Sequence, residues 1–402
     1  MKNNFKKIIS VVLVVAMLAS MALVLGSCGK KKGDADGNTV IKIGASGPLT
    51  GGAAVYGIAV KNSAMLAVEE INAAGGLDGI KFEFVMYDDK HDPDLIAGNY
   101  AALVEGGVQI TLGTVTTGPA LEFKEYSYED NVFVLTPSAS GDAVPEYDNA
   151  FQMCFADSNQ GAASADLFKA NYQGKKIGVF YKSDDEYSKG IYNQFMAGIG
   201  NAFGDVAVAS FKEGDTNFAT QVNLLKDCDV IFMPIYYTPA ASFMVAGKDI
   251  VKADAVYFGC DGLDGIDTSV ENFDINTIPQ EVSYLSHFNS GATTGAAADY
   301  IDNYRAKYGA DAPLNQFGAA AYDCVYAIYA ALKTAKANGT EFSVNTSASD
   351  FCDILTEVFT SDEFVFRGVT GAPEADGYSN ISWADNGTVN KQAVKYVVKY
   401  AN

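Results

Sequence analysis

The stretch Leu112–Ser140, LGTVTTGPALEFKEYSYEDNVFVLTPSAS, closes two short apolar runs, Gln109–Gly113 and Val132–Leu135, in clusters of small hydroxyl residues, TVTTGP and TPSAS. Between the runs lies a segment of helical length that starts at Pro119 and Ala120. Strand, helix, strand in this order reads as a unit of a parallel sheet with its crossover helix. A chain leaving a strand needs only a turn, which Gly or Asp supplies. Two neighbouring strand ends rich in hydroxyls point instead to a place that holds something polar.

The same alternation runs outward from this unit. Strand candidates are VIKIGAS, KFEFVMYDD, KKIGVFY, DVAVASF, DVIFMPIYY and AVYFGCD, nearly continuous in apolar residues as parallel strands covered on both faces are. Helical stretches separate them, among them 55–74 and 187–203. A later one places Tyr322, Val325, Tyr326, Tyr329 and Leu332 on one stripe, a packing face. One set of strands precedes Phe155 and another follows it. The fold class expected is therefore α/β, with two doubly wound parallel-sheet lobes. Near the end FVFRGVTG, YSNISWADNGT and QAVKYVVKY read as strands, with DNGT a hairpin turn.

The first 33 residues differ from the rest: Lys2, Lys6 and Lys7 precede an apolar run from Ile8 to Leu25, and small residues lead to Cys28. This is the form of a secretion signal. The run is also long enough to span a bilayer, so a retained helix is the competing reading. LGSC resembles the lipobox of bacterial lipoproteins, which implies removal of residues 1–27 and acylation of Cys28. Residues 28–39, polar and glycine-rich, read as a tether. Either way the remainder lies outside the cytoplasm, and with Cys28 acylated it is anchored to the outer face of the bacterial cell membrane.

Removing Lys2, Lys6 and Lys7 from 28 basic residues leaves 25 against 49 acids, a net charge of −24. Such a surface repels nucleic acid and anionic lipid, so neither is expected as a partner. The five cysteines after Cys28 are odd in number and match no metal spacing; they read as small core side chains. Two histidines, His91 and His287, and no Gly-x-Ser-x-Gly elbow give little basis for catalysis.

At the strand ends, Pro119 suits a helix's first turn and Thr117 lies near its cap, so free N–H groups point towards the strand tip. That suits a carboxylate. Taken alone, Thr117 capping its own helix is the simpler explanation. Ser138 and Ser140, two apart, face the same way in an extended segment and tip the balance towards a ligand.

In their order and spacing, IKIGASGPLTGGAAVYG, EEINAAGGLDG, YDDKHDP, LGTVTTGPAL, LTPSAS, DDEYSKG and GCDGLDG resemble the leucine/isoleucine/valine-binding proteins. These are type I periplasmic binding proteins that deliver amino acids to ABC importers, and the likeness spans 41–402. The resemblance implies two lobes joined by several crossovers and closing on a small amino acid. It implies an ABC permease with its ATPase subunits as partner, a monomer, no cofactor, no metal and no catalytic residue. The lobe division expected is 40–155 with 289–360, and 156–288 with 361–402.

The resemblance also assigns roles. Val115 becomes an apolar contact and Thr117 a hydroxyl to the ligand carboxylate. Ser138 lends its main chain, and Ser140 a hydroxyl to carboxylate or ammonium. Tyr187 and Tyr236, or Tyr237 if the register slips by one, stand across the cleft. Asp261 pairs with the ammonium, and Tyr56 and Phe317 line the side-chain pocket. A zwitterion leaving water needs both charges answered, which this set does. Asp261, Asp264 and Asp267 are spaced three apart, unlike a calcium loop, and read as a solvated turn, as do Asp184, Asp185 and Glu186. Where some relatives carry a cysteine pair, this chain has His91 and Thr116. Asp261 is one methylene shorter than the Glu of leucine binders, which leaves urea, amides and small carboxylates as alternative ligands. A sensor signalling to a receptor is the alternative output.

Overall fold

The computed structural model describes residues 39–270 and 272–401. The signal segment 1–27, Cys28 and all but the last residue of the tether lie outside the described residues. Strands and helices alternate through β1 (Val40–Gly47), α1 (Ala54–Ala73), β2 (Lys81–Asp88), α2 (Ile96–Glu105), β3 (Ile110–Thr111), α3 (Thr117–Glu129) and β4 (Val134–Thr136), then β5 (Ala150–Gln152). Their sheet is wholly parallel in the order β2-β1-β3-β4-β5. A second round follows: α4 (Asp157–Asn171), β6 (Ile177–Lys182), α5 (Glu186–Ile199), β7 (Ala207–Phe211), α6 (Ala219–Leu225), β8 (Val230–Met233), α7 (Tyr237–Gly247), β9 (Val256–Gly259) and β10 (Glu281–Ser286). It forms the second sheet, β7-β6-β8-β9-β10, with the late strand β13 antiparallel on its edge.

Numbered within each sheet, both run second, first, third, fourth, fifth. This is one of the common doubly wound orders, so the α/β expectation holds and the topology repeats where no sequence repeat is visible. The strands are apolar on both faces because helices cover both: all of β8 is buried, and so are the last five residues of β1. Two strands escaped the sequence reading. β5 is three residues long, and β10 carries buried Ser283 and Ser286 within its apolar pattern.

The rest of the chain is α8 (Ala296–Tyr308), α9 (Gln316–Ala337), α10 (Ala348–Phe359), β11 (Phe366–Gly368), β12 (Ser379–Ile381) and β13 (Val394–Lys399). The tyrosine stripe packs as expected and also uses its polar tips. Val325 and Leu332 are fully buried, while Tyr322 and Tyr326 donate to Glu70 of α1 at 2.5 and 3.0 Å. β11 pairs with β12, and the DNGT turn closes only a single bridge, Trp383 to Val389, before β13 joins the other sheet. The chain thus passes between the sheets at 153–156, 287–295 and 382–393. Cys154, Cys228, Cys260, Cys324 and Cys352 are buried thiols, none of them in a disulfide. Among the described residues no helix is long and apolar enough to cross a membrane.

The β11 strand is held to α9 by Asp323, a buried carboxylate that accepts from Val369 N at 2.9 Å, Thr370 N at 3.0 Å and Thr370 Oγ1 at 2.5 Å. An alanine there leaves three donors without an acceptor, two of them buried. Asp323→Ala is expected to lower unfolding free energy by about 2–4 kcal/mol, read from the midpoint of a urea titration at unchanged m-value.

Candidate functional site

Ligands of doubly wound sheets sit beyond the carboxyl ends of the strands, where the strand order reverses. Here both sheets turn those ends towards one small cavity. Tyr56 follows β1, Val115 and Thr117 follow β3, and Ser138 and Ser140 follow β4; from the second sheet, Tyr187 follows β6, Tyr236 follows β8 and Asp261 follows β9. Phe317 comes from the start of α9. All nine residues singled out in the sequence line this cavity, together with Thr116 and Gly262.

One end of the cavity is made of hydroxyls and a helix start. The N-cap of α3 is Thr116, with no side-chain cap bond, so Thr117 does not cap the helix. Its Oγ1 accepts from Gly141 N at 3.2 Å, which keeps the hydroxyl proton available. The TPSAS loop is braced by a residue the sequence did not flag. Thr136 Oγ1 donates to Thr114 O at 2.8 Å and accepts from Ala139 N at 3.1 Å. Gln152 Nε2, equally unflagged, donates to Ala139 O and Gly141 O at 2.9 and 3.0 Å. With the free N–H groups of α3 behind it, this end suits a carboxylate.

The opposite end is acidic. Asp261 opens a 3-10 turn, Asp261–Leu263, and is 1% exposed. Its Oδ1 accepts from Tyr187 Oη at 2.6 Å, and its own N–H donates to Gln160 at 3.1 Å. Tyr187 Oη also accepts from Gly262 N at 2.9 Å, while Tyr56 Oη donates to Gly262 O at 2.6 Å. A Cβ on Gly262 would stand 2.5 Å from the Tyr187 hydroxyl, so this position admits glycine alone. Burial pushes the Asp261 carboxyl up to about 7, against the hydrogen bonds from Tyr187 and Gln160. No ion pair involves Asp261 among the described residues.

Aromatic rings make the walls. Tyr187 stacks on Tyr236 at 4.8 Å, and Tyr56 meets Phe317 and Tyr237 edge-on at 4.9 and 5.1 Å. Tyr236 is thus the lining residue, and Tyr237 stands behind Tyr56. His91 packs edge-on to Tyr236 at 5.2 Å. Burial lowers the pKa of both histidines, and neither imidazole lines the cavity.

Two acidic segments depart only in part from the solvated turns expected, since Asp184, Glu186 and Asp267 are exposed. Asp264 is buried, accepting from Tyr284 Oη and Gln316 N, each at 2.9 Å, and so ties β10 and α9 to the turn. Asp185 is the N-cap of α5, accepting from Ser188 N at 2.9 Å. Among the described residues no cluster of three or more His, Cys, Asp or Glu could hold a metal ion.

Residues 40–359 match the family of periplasmic binding proteins. The chain belongs to that family. Within it the likeness is to type I members of branched-chain amino acid transporters. The Leu/Ile/Val-binding protein homolog 3 of Brucella melitensis is 27% identical over 350 residues, which are 86% of this chain and 92% of that protein. The branched-chain amino acid transporter substrate-binding protein LivJ of Streptococcus pneumoniae, solved with isoleucine, superposes with a TM-score of 0.68 at 27% identity, covering 89% of this chain and 100% of its own. A solute-binding protein of Rhodopseudomonas palustris, solved with 3,4-dihydroxybenzoic acid, shares the fold at a TM-score of 0.73 and 16% identity, covering 90% and 93% of the two chains.

Periplasmic binding proteins are a substrate-binding class, and the two ends of this cavity generate separate expectations. Asp261→Ala should weaken an ammonium-bearing ligand about a hundredfold. The ligand's charge favours ionised Asp261, so in the parent protein affinity should fall as pH drops below about 7, by at most about tenfold per unit. The alanine variant should lose that slope in calorimetric titrations. Thr117→Val keeps shape but removes the hydroxyl; it should cost a carboxylate ligand about tenfold, and the Gly141 N–H left without its acceptor should lower melting of the free protein slightly.

Proposed function

We propose that this chain is the extracytoplasmic substrate-binding lipoprotein of an ABC importer, anchored by acylated Cys28. It takes a small apolar amino acid, branched-chain or related, and hands it to the permease as a monomer. The observation that carries this is the polarity of the cavity: a helix start and hydroxyls at one end, a buried acid without a cation at the other, and aromatic walls between. An α-amino acid carries the complementary charges at its head and an apolar group beside them. The isoleucine-bound relative supports the same choice.

The lobes are 40–155 with 289–381, and 156–288 with 382–402; the segment 361–381, expected in the second lobe, goes with the first because Asp323 of α9 accepts from Val369 and Thr370. Function is a population shift rather than bond making: a ligand touching both lobes favours the closed form that the permease recognises. Two bonds already bridge the cleft, Tyr56 Oη to Gly262 O and Thr238 Oγ1 to Gly52 O at 3.0 Å. A second reading keeps the fold and exchanges the ligand for urea or a short amide. It is favoured by the Asp261 carboxyl titrating near 7, since its protonated form donates to a neutral carbonyl.

A thermal-shift screen of the full-length protein against the twenty amino acids, urea, short amides and small carboxylates decides between them. Ligand binding raises the melting temperature by mass action. Apolar amino acids are expected to give the largest shifts. Shifts with urea or amides alone would replace the amino-acid reading, and a silent panel would reject both.

A further inference from the structure

Beside the inner cavity lies a second pocket of about 360 Å³, and Tyr236 is the one lining residue the two have in common. The first sheet's side contributes Gly52 and Ala53, just before α1, with Lys90 and His91 of the YDDKHDP loop. The second sheet's side contributes Lys182 at the end of β6, the loop 212–216 after β7, and Pro239 and Ser242 of α7. The bond from Thr238 Oγ1 to Gly52 O that bridges the cleft belongs to its wall, since both residues line it.

Floor and rim of this pocket differ in chemistry. Ala53, Phe211 and Phe218 are buried and, with Tyr236 and Pro239, make an apolar floor, while Lys90 and Lys212 stand exposed. In a chain of 49 acids and 28 bases, three lysines here meet two acids. Both acids are engaged: Glu213 pairs with Lys182, and Asp215 accepts from Lys212 N at 2.8 Å. Among the described residues neither Lys90 nor Lys212 has an ion pair. Lys90 is also held in place. It and His91 take left-handed backbone, φ 55° and 65°, which residues other than glycine rarely adopt, and Asp88 and Asp89 accept from their N–H groups, each at 3.0 Å.

We propose that this outer pocket is a second ligand site, for an apolar carboxylate whose alkyl or aryl body lies on the floor and whose charged end faces the ammonium groups of Lys90 and Lys212. A largely apolar pocket of this size with a few polar groups is the usual make-up of a small-molecule site. The carboxylate answers the two unpaired ammonium groups with charge-assisted hydrogen bonds, and flexible lysine stems reach to meet it. A cationic nitrogen would meet like charge there, so the outer occupant differs in class from the amino acid proposed for the inner cavity. Lys90 belongs to one lobe and Lys212 to the other. An occupant touching both favours the closed form, so it tightens the inner ligand, and by linkage the inner ligand tightens it by the same factor. The coupling rests on the amino-acid and closure reading; binding in the outer pocket does not.

The test titrates phenylacetate and hexanoate into the full-length protein by calorimetry, alone and with the inner site saturated by the amino acid that gives the largest thermal shift. Replacing both lysines, Lys90→Gln with Lys212→Gln, should weaken the two probes about fivefold, while Thr117→Val in the inner cavity should change them less than about twofold. Ser242→Phe fills the pocket from α7 with the lysines intact and should abolish probe binding. Phenylacetate should raise affinity for the amino acid at least about fivefold in the parent protein and not in the double lysine variant. Probe binding that is absent, that ignores both the lysine and the Ser242 changes, or that is lost on Thr117→Val overturns the inference. So does an amino-acid affinity that phenylacetate lowers or leaves unchanged. If no amino acid binds, the amino-acid reading fails by itself, and the titrations of probe alone into parent and variants still decide whether the outer pocket is a site.

Discussion

One glycine's backbone holds the candidate site together. The N–H of Gly262 is taken by Tyr187 of α5, and its carbonyl receives the hydroxyl of Tyr56 from α1. Helices belonging to different sheets thus meet on a single residue with no side chain, at a point where a methyl group would collide with the Tyr187 oxygen. The same Tyr187 hydroxyl gives its proton to Asp261, so the orientation of the acid and the closeness of the two sheets are set by one short chain of bonds.

Around that clamp the charges are deliberately unequal. The hydroxyl end keeps its oxygens busy with backbone donors, Gly141 on Thr117 and Ala139 on Thr136, so what it has left to offer is protons and helix N–H groups. The acid end gives the Asp261 carboxyl a neutral donor and no cation, so what it has left is an acid that a ligand's ammonium would hold ionised. Buried in aromatic walls, both remainders act at short range through low dielectric. A ligand lacking either charge leaves one end unanswered, which is costly where water is excluded.

Much of this was legible because strand tips carry chemistry that packing does not demand. TVTTGP and TPSAS stood out as hydroxyls where a turn would do, and the resemblance assigned Tyr187, Tyr236 and Asp261 at the tips of three further strands. What stayed hidden has a common cause. Thr136, Gln152 and Gln160 act through other residues, and their partners are set by the folded chain rather than by sequence neighbours. The β5 and β10 strands were missed for a different reason: one is too short for periodicity, and the other buries serines that a burial pattern counts as exposed.

The last crossing between the sheets is a strap rather than a tail. Trp383 Nε1 donates to Gln152 O and Lys391 Nζ to Met153 O, each at 2.7 Å, before the chain ends as the antiparallel edge of the other sheet. Burial of its ammonium brings Lys391 down to about 8, while the residue as a whole is half-buried. Trimming the chain end would therefore unfasten the second sheet's edge and one of its three ties to the first. If the lobes close as proposed, a reporter fused after β13 would ride on the second sheet, which makes that edge a place to read opening and closing and a poor one for an inert tag.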